Sequence, residues 1–150
     1  CRVSPTWASG SRLKLMVVYP LPLKLRASSI YQNLPGIAQQ ATLAVANKDI
    51  VPSLGRNLGS CAGAATCTDS VTVNLIQPGT AFEPRMHQLD FRLSRIFSMG
   101  RYKLDANLDV FNVLNQGAVI DMTLAYGAKW LNPVQILAAR MVKFGVEIHF

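Results

Sequence analysis

Three groups of residues have the types and spacing that chemistry requires. Cys61-Ala-Gly-Ala-Ala-Thr-Cys67 closes a short loop in a stretch rich in Gly, Ala, Ser and Thr, which suits a disulfide in an oxidising compartment. Zinc would need further ligands nearby, and the two histidines, His87 and His149, lie far off in sequence. Cys1 is left over, and an odd cysteine in an exported chain points to a missing partner. The second group is charged. Asp105 and Asp109 fall on one strand face beside Lys103, with Asp90 and Arg92 expected across the ladder, so these five form a candidate charge network. Paired carboxylates of glycosidase type would need a substrate cleft, which no feature of the sequence indicates. His87 and His149 have no neighbouring nucleophile to activate. The third group, Gly55-Arg56-Asn57-Leu58-Gly59-Ser60, is glycine-rich but lacks the Gly-Lys-Ser/Thr of a phosphate loop. No residue is assigned to catalysis, to a cofactor or to a metal, no cofactor is implied, and an enzyme is the least supported class.

The elements that position these residues are strands. Apolar and polar side chains alternate with period two, the mark of a strand with unlike faces. Leu13, Leu15, Val17 and Tyr19 alternate with Arg12, Lys14, Met16 and Val18, up to a turn expected at Tyr19-Pro20-Leu21-Pro22. A second segment covers residues 23–32 and stops at Asn33-Leu34-Pro35-Gly36. A third covers 88–97, and Ser98-Met99-Gly100-Arg101 turns it into a fourth over 102–113. The last, 136–150, sets Val142, Phe144, Val146, Ile148 and Phe150 against Met141, Lys143, Gly145, Glu147 and His149. Between them lie long connections at 34–85 and 114–135. The first contains strand-like pieces, 42–46 and 71–76, expected to extend the flanking strands.

Composition narrows the reading. The chain has 150 residues, 50% hydrophobic and only 15% charged, with a net charge of +7 and a mean hydropathy of +0.23. Such a chain is no disordered polar tail, and no window of about 18 apolar residues offers a transmembrane helix. Its basic residues are dispersed, without a polybasic run or an aromatic RNA-binding string, which argues against a nucleic-acid partner.

Tight turns alternating with long loops, joined by strands of about 9–11 residues, are the pattern of outer-membrane barrels. The expected fold is therefore all-β, an antiparallel transmembrane β-barrel segment. In isolation it would be an open curled sheet of about five long strands, its apolar rows facing lipid and its charged rows a lumen. A secreted β-sandwich binding module is the alternative, and it would bury Val142, Val146 and Ile148 between two layers. A small passive barrel of about eight strands would need crossings inside 34–85.

The final octet, Lys143-Phe144-Gly145-Val146-Glu147-Ile148-His149-Phe150, resembles the C-terminal targeting signal of bacterial outer-membrane barrels, which would be carried by Lys143, Gly145, Ile148 and Phe150. Gln88-Leu89-Asp90-Phe91-Arg92-Leu93-Ser94 and Leu108-Asp109-Val110-Phe111-Asn112-Val113-Leu114-Asn115 resemble the last strands of TonB-dependent receptors. Tyr126-Gly127, Trp130 and residues 133–140 are similar to the large members with a carboxypeptidase-regulatory-like N-terminal domain. The resemblance implies that residues 1–150 are the C-terminal part of such a barrel, without its plug domain and most of its strands. It implies active transport of an unspecified ligand, energised by TonB through the missing N-terminal part. Its other implied partners are outer-membrane lipid and the barrel-insertion machinery. Its implied location is the outer membrane of a Gram-negative-type bacterium, with a periplasmic C-terminus.

Overall fold

The computed structural model describes residues 6–150, so Cys1 and its expected partner lie outside the described residues. In chain order the elements are α1 (Trp7–Gly10), β1 (Leu13–Leu21), β2 (Leu25–Leu34), β3 (Thr42–Ala46), α2 (Asn47–Leu54), β4 (Ser70–Asn74), β5 (Met86–Met99), β6 (Tyr102–Phe111), β7 (Val119–Met122), β8 (Pro133–Ile136) and β9 (Met141–His149). The strands form three sheets: a five-stranded one in the order β1-β2-β5-β6-β9, and two pairs, β3-β4 and β7-β8. None closes on itself. The described residues are thus a mixed α/β fold of small open sheets, which corrects the expected transmembrane barrel segment.

Local chemistry accounts for the strand limits. The first turn falls later than its prolines suggest: Pro20 stays inside β1, opposite Arg26. β1 is an edge strand, the place in a sheet where proline is tolerated. The chain reverses instead at Leu23 and Lys24, with φ of 62° and 59°, the doubly left-handed geometry that suits a tight hairpin. Between β5 and β6 that role falls to Gly100, at φ 62°. β6 ends where Asn112 turns left-handed at φ 49°, a conformation that asparagine tolerates better than most residues. The expected last strand is interrupted: residues 133–136 pair with β7, and β9 begins only at Met141.

The pieces inside the long connection are not extensions of β2 and β5. They pair with each other, antiparallel, from Thr42↔Asn74 to Ala46↔Ser70, and so provide no additional strands for an eight-stranded barrel. An isolated bridge at Ala38↔Phe82 separates them from the main sheet. Trp130 Nε1 donates to the Gln40 carbonyl at 2.8 Å, and the Tyr126 amide donates to the Thr42 carbonyl at 2.7 Å. These bonds fasten the second loop region to the first.

Register sorts the five-stranded sheet into two faces, because residues directly opposite share a side. Tyr19, Ala27, Leu93, Leu108 and Phe144 form one row across all five strands; Val17, Ser29, Phe91, Val110 and Val142 form the next. On the other face, Val18, Ser28, Arg92, Asp109 and Lys143 make a row. Among the described residues no second layer covers the apolar face. Among the described residues the buried hydrophobics are Ala41, Cys61 and Met122, and no large side chain is fully buried. Val142, Phe144, Val146 and Ile148 are 53%, 79%, 65% and 59% exposed, so the two-layer packing of a sandwich is not formed.

One close approach fixes how β2 leaves and β5 enters the sheet. A Cβ on Gly36 would sit 1.9 Å from the Glu83 carbonyl oxygen, and neither backbone can yield without disturbing the bond from the Glu83 amide to the Ile37 carbonyl, 2.9 Å. Gly36→Ala should therefore lower stability by about 1–3 kcal/mol, read as a fall in the urea midpoint with an unchanged slope.

Candidate functional site

The polar face of the main sheet gathers the charged residues, and the structure divides them. Arg92 and Asp109 are direct cross-strand partners. The Arg92 guanidinium grips the Asp109 carboxylate with both arms, Nε to Oδ1 and Nη2 to Oδ2, the latter at 3.0 Å. Asp109 is buried while Arg92 is about half exposed. The hydrogen bond from Arg92 holds the Asp109 carboxyl below its ordinary range, against the opposing effect of burial, and the charges of Arg92 and Lys143 add to the lowering. The Arg92 guanidinium is raised in turn, first by its hydrogen bond to Asp109 and then by that carboxylate's charge.

The other three expected members have different surroundings. Asp90 accepts from Gln88 Nε2 at 3.0 Å through each oxygen, and its Oδ1 also takes the Asn112 amide at 2.8 Å. It holds the end of β6 to β5 and makes no ion pair among the described residues. Asp105 lies two rows from Asp109 on the same face, beyond Asn107 and away from Asn112, opposite Ile96 on one side and Glu147 on the other. Its Oδ1 is buried without a hydrogen-bond partner. Lys103 sits at the start of β6, opposite Ser98 and His149, and makes no ion pair among the described residues. The structure thus brings Arg92 and Asp109 together, with Asp105 near enough to act on Arg92 through its charge.

Sequence reasoning missed the polar hub beside this pair. Asn112, 2% exposed, donates from Nδ2 to the carbonyls of Gln116 and Ala138 at 3.0 and 2.7 Å, and its Oδ1 accepts from the Gln116 amide at 3.1 Å. Gln116 completes the clamp: Oε1 accepts from the His87 amide, and Nε2 donates to the Arg85 carbonyl at 3.0 Å. The signal available was Asn112 at the end of an alternating run, since a buried asparagine satisfies the backbone groups a strand end leaves open. His87 itself is engaged through Nδ1 with the Tyr31 hydroxyl at 3.0 Å. His149 lies 3.6 Å from Glu147.

Cys61 and Cys67 are joined in a disulfide with Cα atoms 5.6 Å apart. Asp69 lies beside them, and the three donor atoms fall within 4.8 Å of one another. Sulfurs bonded to each other are not thiolates, and thiolates are what a soft metal requires, so this trio does not fit a metal in its oxidised form. The loop is tied down by Asn47, which donates from Nδ2 to Asn57 Oδ1 and accepts the Leu58 amide at Oδ1, both at 2.9 Å.

The residues of the expected targeting signal occupy β9 and the position after it. Lys143 and Gly145 lie on the polar face, opposite Asp109 and Asn107, while Ile148 lies on the apolar face opposite Leu104. Phe150 follows the strand and is exposed.

No family model matches the chain, and no curated protein matches it. The resemblance to TonB-dependent receptors is therefore corrected along with the barrel: the octet and the two strand motifs stand in an open sheet of a mixed fold. Energised transport, TonB, the insertion machinery and outer-membrane lipid as partners, and the outer-membrane location do not stand either. Among the described residues no helix is long and apolar enough to cross a membrane.

Two outcomes follow. Because the Asp109 carboxyl is lowered on folding, its contribution is complete above the ordinary carboxylate value, about pH 4, and is lost as pH falls through the folded value. Asp109→Asn should be less stable than the wild type at neutral pH, and the difference should shrink on acidification below about pH 4, as followed by urea unfolding across pH. Replacing Cys61 and Cys67 together by serine should cost about 2 kcal/mol, the loop-closure value for so short a ring. Amide exchange should then rise around residues 57–67 and stay unchanged in β5 and β6.

Proposed function

We propose that this chain is a non-catalytic binding module that takes an extended polypeptide by strand addition at β9. The observation that carries the reading is the state of that strand. Among the described residues β9 pairs only with β6, so no described strand lies beside its outer backbone groups, and its apolar side chains are all more than half exposed. An open edge offers main-chain hydrogen bonds along its length, and the alternating side chains supply selectivity. A contiguous apolar face of this extent on a folded domain marks an interaction surface, and a strand added at β9 would continue its rows.

The two edges are not equivalent. β1 carries Pro20, which cannot donate, and edge prolines are a recognised way to block pairing. β9 has no proline. Its polar side chains, Lys143, Glu147 and His149, stand on the face opposite Phe144 and Val146, so an incoming strand would need an apolar row on one side and a polar row on the other. Charged groups on the polar face serve this reading as structure: Arg92 and Asp109 hold β5 to β6 and keep the strands behind β9 in place.

The test is a fluorescence-anisotropy titration of the full chain with labelled peptides of about nine residues, matched to the strand's length. A peptide alternating valine and threonine should bind, and one of identical composition with its valines in a block should not. Phe144→Asp, at a position exposed enough for the change to cost only about 0.5 kcal/mol of stability, should weaken binding at least about tenfold. Equal binding of both peptides, or binding of neither, would overturn the proposal.

A further inference from the structure

Resting on that reading, we infer that the strand β9 accepts is β9 of a second copy, in an antiparallel pair whose twofold axis passes between the two facing Gly145 residues. The argument begins with parity. Two sheets join into one with continuous faces only if apolar rows meet apolar rows, which restricts the pairing to residues of like face. For two antiparallel copies of one strand, those registers are centred on a residue. Met141–His149 has Gly145 at its midpoint, so the register centred there pairs every residue of the strand; a shift in either direction leaves ends unpaired.

The same register is complementary in charge. It sets Lys143 of each copy opposite Glu147 of the other, and Met141 opposite His149. On the apolar face it sets Val142 opposite Ile148 and Phe144 opposite Val146. Centring on Phe144 would instead place Lys143 opposite Gly145, and centring on Val146 would place it opposite His149. Only the full-length register pairs the strand's acid with its base.

Neighbouring rows show what each charge lacks. Within one copy Glu147 stands opposite another carboxylate, Asp105, and the row continues to Ile96. Among the described residues the row carries no cation across β9, β6 and β5; His149 Nε2 stands 3.6 Å from Glu147 along the strand. Lys143 stands opposite Asp109, whose carboxylate is already held by Arg92. Joining the copies extends the row to Arg92, Asp109, Lys143, then Glu147 and Asp105 of the second copy. A cation is thereby set beside the two facing carboxylates, where opposite charges across a ladder are favourable and like charges are not. Gly145, beside the axis, presents no side chain to its own image.

Face-to-face stacking of two copies is the competing arrangement, and Arg95 argues against it. Arg95 lies on the apolar face of the central strand β5, opposite Leu25 and Ala106, with its guanidinium 4.7 Å from the Phe97 ring centre. Stacking would bury that charge between apolar layers without a partner, whereas edge pairing leaves it in solvent.

Sedimentation equilibrium of the full chain tests the inference. The wild type should associate to a dimer. Lys143→Glu should raise the dimer dissociation constant about ten- to thirty-fold, since it places two like-charge pairs in the interface, and Glu147→Lys should do the same. The double variant, Lys143→Glu with Glu147→Lys, should return to within about threefold of the wild type, and this rescue separates lost pairing from a folding defect. A wild-type chain that stays monomeric while still binding the alternating peptide would overturn self-pairing and leave strand addition standing. A monomer that binds neither peptide would remove both. A dimer indifferent to the charge reversals, or an assembly beyond a dimer, would overturn the register proposed here.

Discussion

Everything in this structure follows from a five-stranded ladder that has no layer packed against it. Folded domains ordinarily bury one face of a sheet on a helix or a second sheet, and that burial is the largest favourable contribution to their stability. Here the apolar rows run across all five strands and remain at the surface. What holds the strands together is therefore their backbone pairing and the cross-strand contacts on each face, each worth a fraction of a kcal/mol to about 1 kcal/mol. A face left in that state, ending in the open edge of β9, is the strongest functional statement the molecule makes, because a strand added there gains main-chain hydrogen bonds and extends the apolar rows.

The polar side carries the complementary task. Arg92 and Asp109 clamp the two central strands by a charge-assisted pair with both arms engaged, the stronger kind of hydrogen bond. Asp90, Asn112 and Gln116 then close the end of the same two strands against the loop that follows. These bonds satisfy backbone groups that would otherwise be stranded where β6 stops. Loop residues are held by similar means: Asn47 pins the segment around the disulfide, and Trp130 joins the two loop regions through one backbone carbonyl. Polar side chains, more than a hydrophobic centre, hold the irregular parts in place.

Much of the strand content was legible in the alternation, and the misreadings have definite causes. The first hairpin was placed too early because Pro20 and Pro22 look like turn residues; on an edge strand proline does no harm, and two residues without β-branching took the left-handed turn instead. Residues 42–46 and 70–74 read as strands, but period two says nothing about which strand each will choose, and they chose each other. The candidate charge network was drawn from shared faces. Face is decided by parity, but distance along the ladder is decided by register, and register left Lys103 three rows from the Arg92–Asp109 pair, while Asp90, one row away, is taken up by Gln88 and the Asn112 amide. Asn112 escaped notice because an asparagine's role depends on which carbonyls the fold brings to it.

By itself, the sequence determined the two-faced character of the strands, the position of the turn between β5 and β6 and the proximity of Cys61 to Cys67. All of these depend on residues a few places apart, where side-chain type and backbone preference act directly. Only the tertiary structure decided that the sheets stay open, that β1 and β9 are the unpaired edges and that Lys143 and Glu147 stand on an accessible one. Those are matters of long-range pairing, in which one alternating strand is as good a neighbour as another until loop geometry and buried polar bonds select among them. The surplus of apolar residues was visible from composition, but the face they form, and its lack of a covering layer, exist only once the register is set.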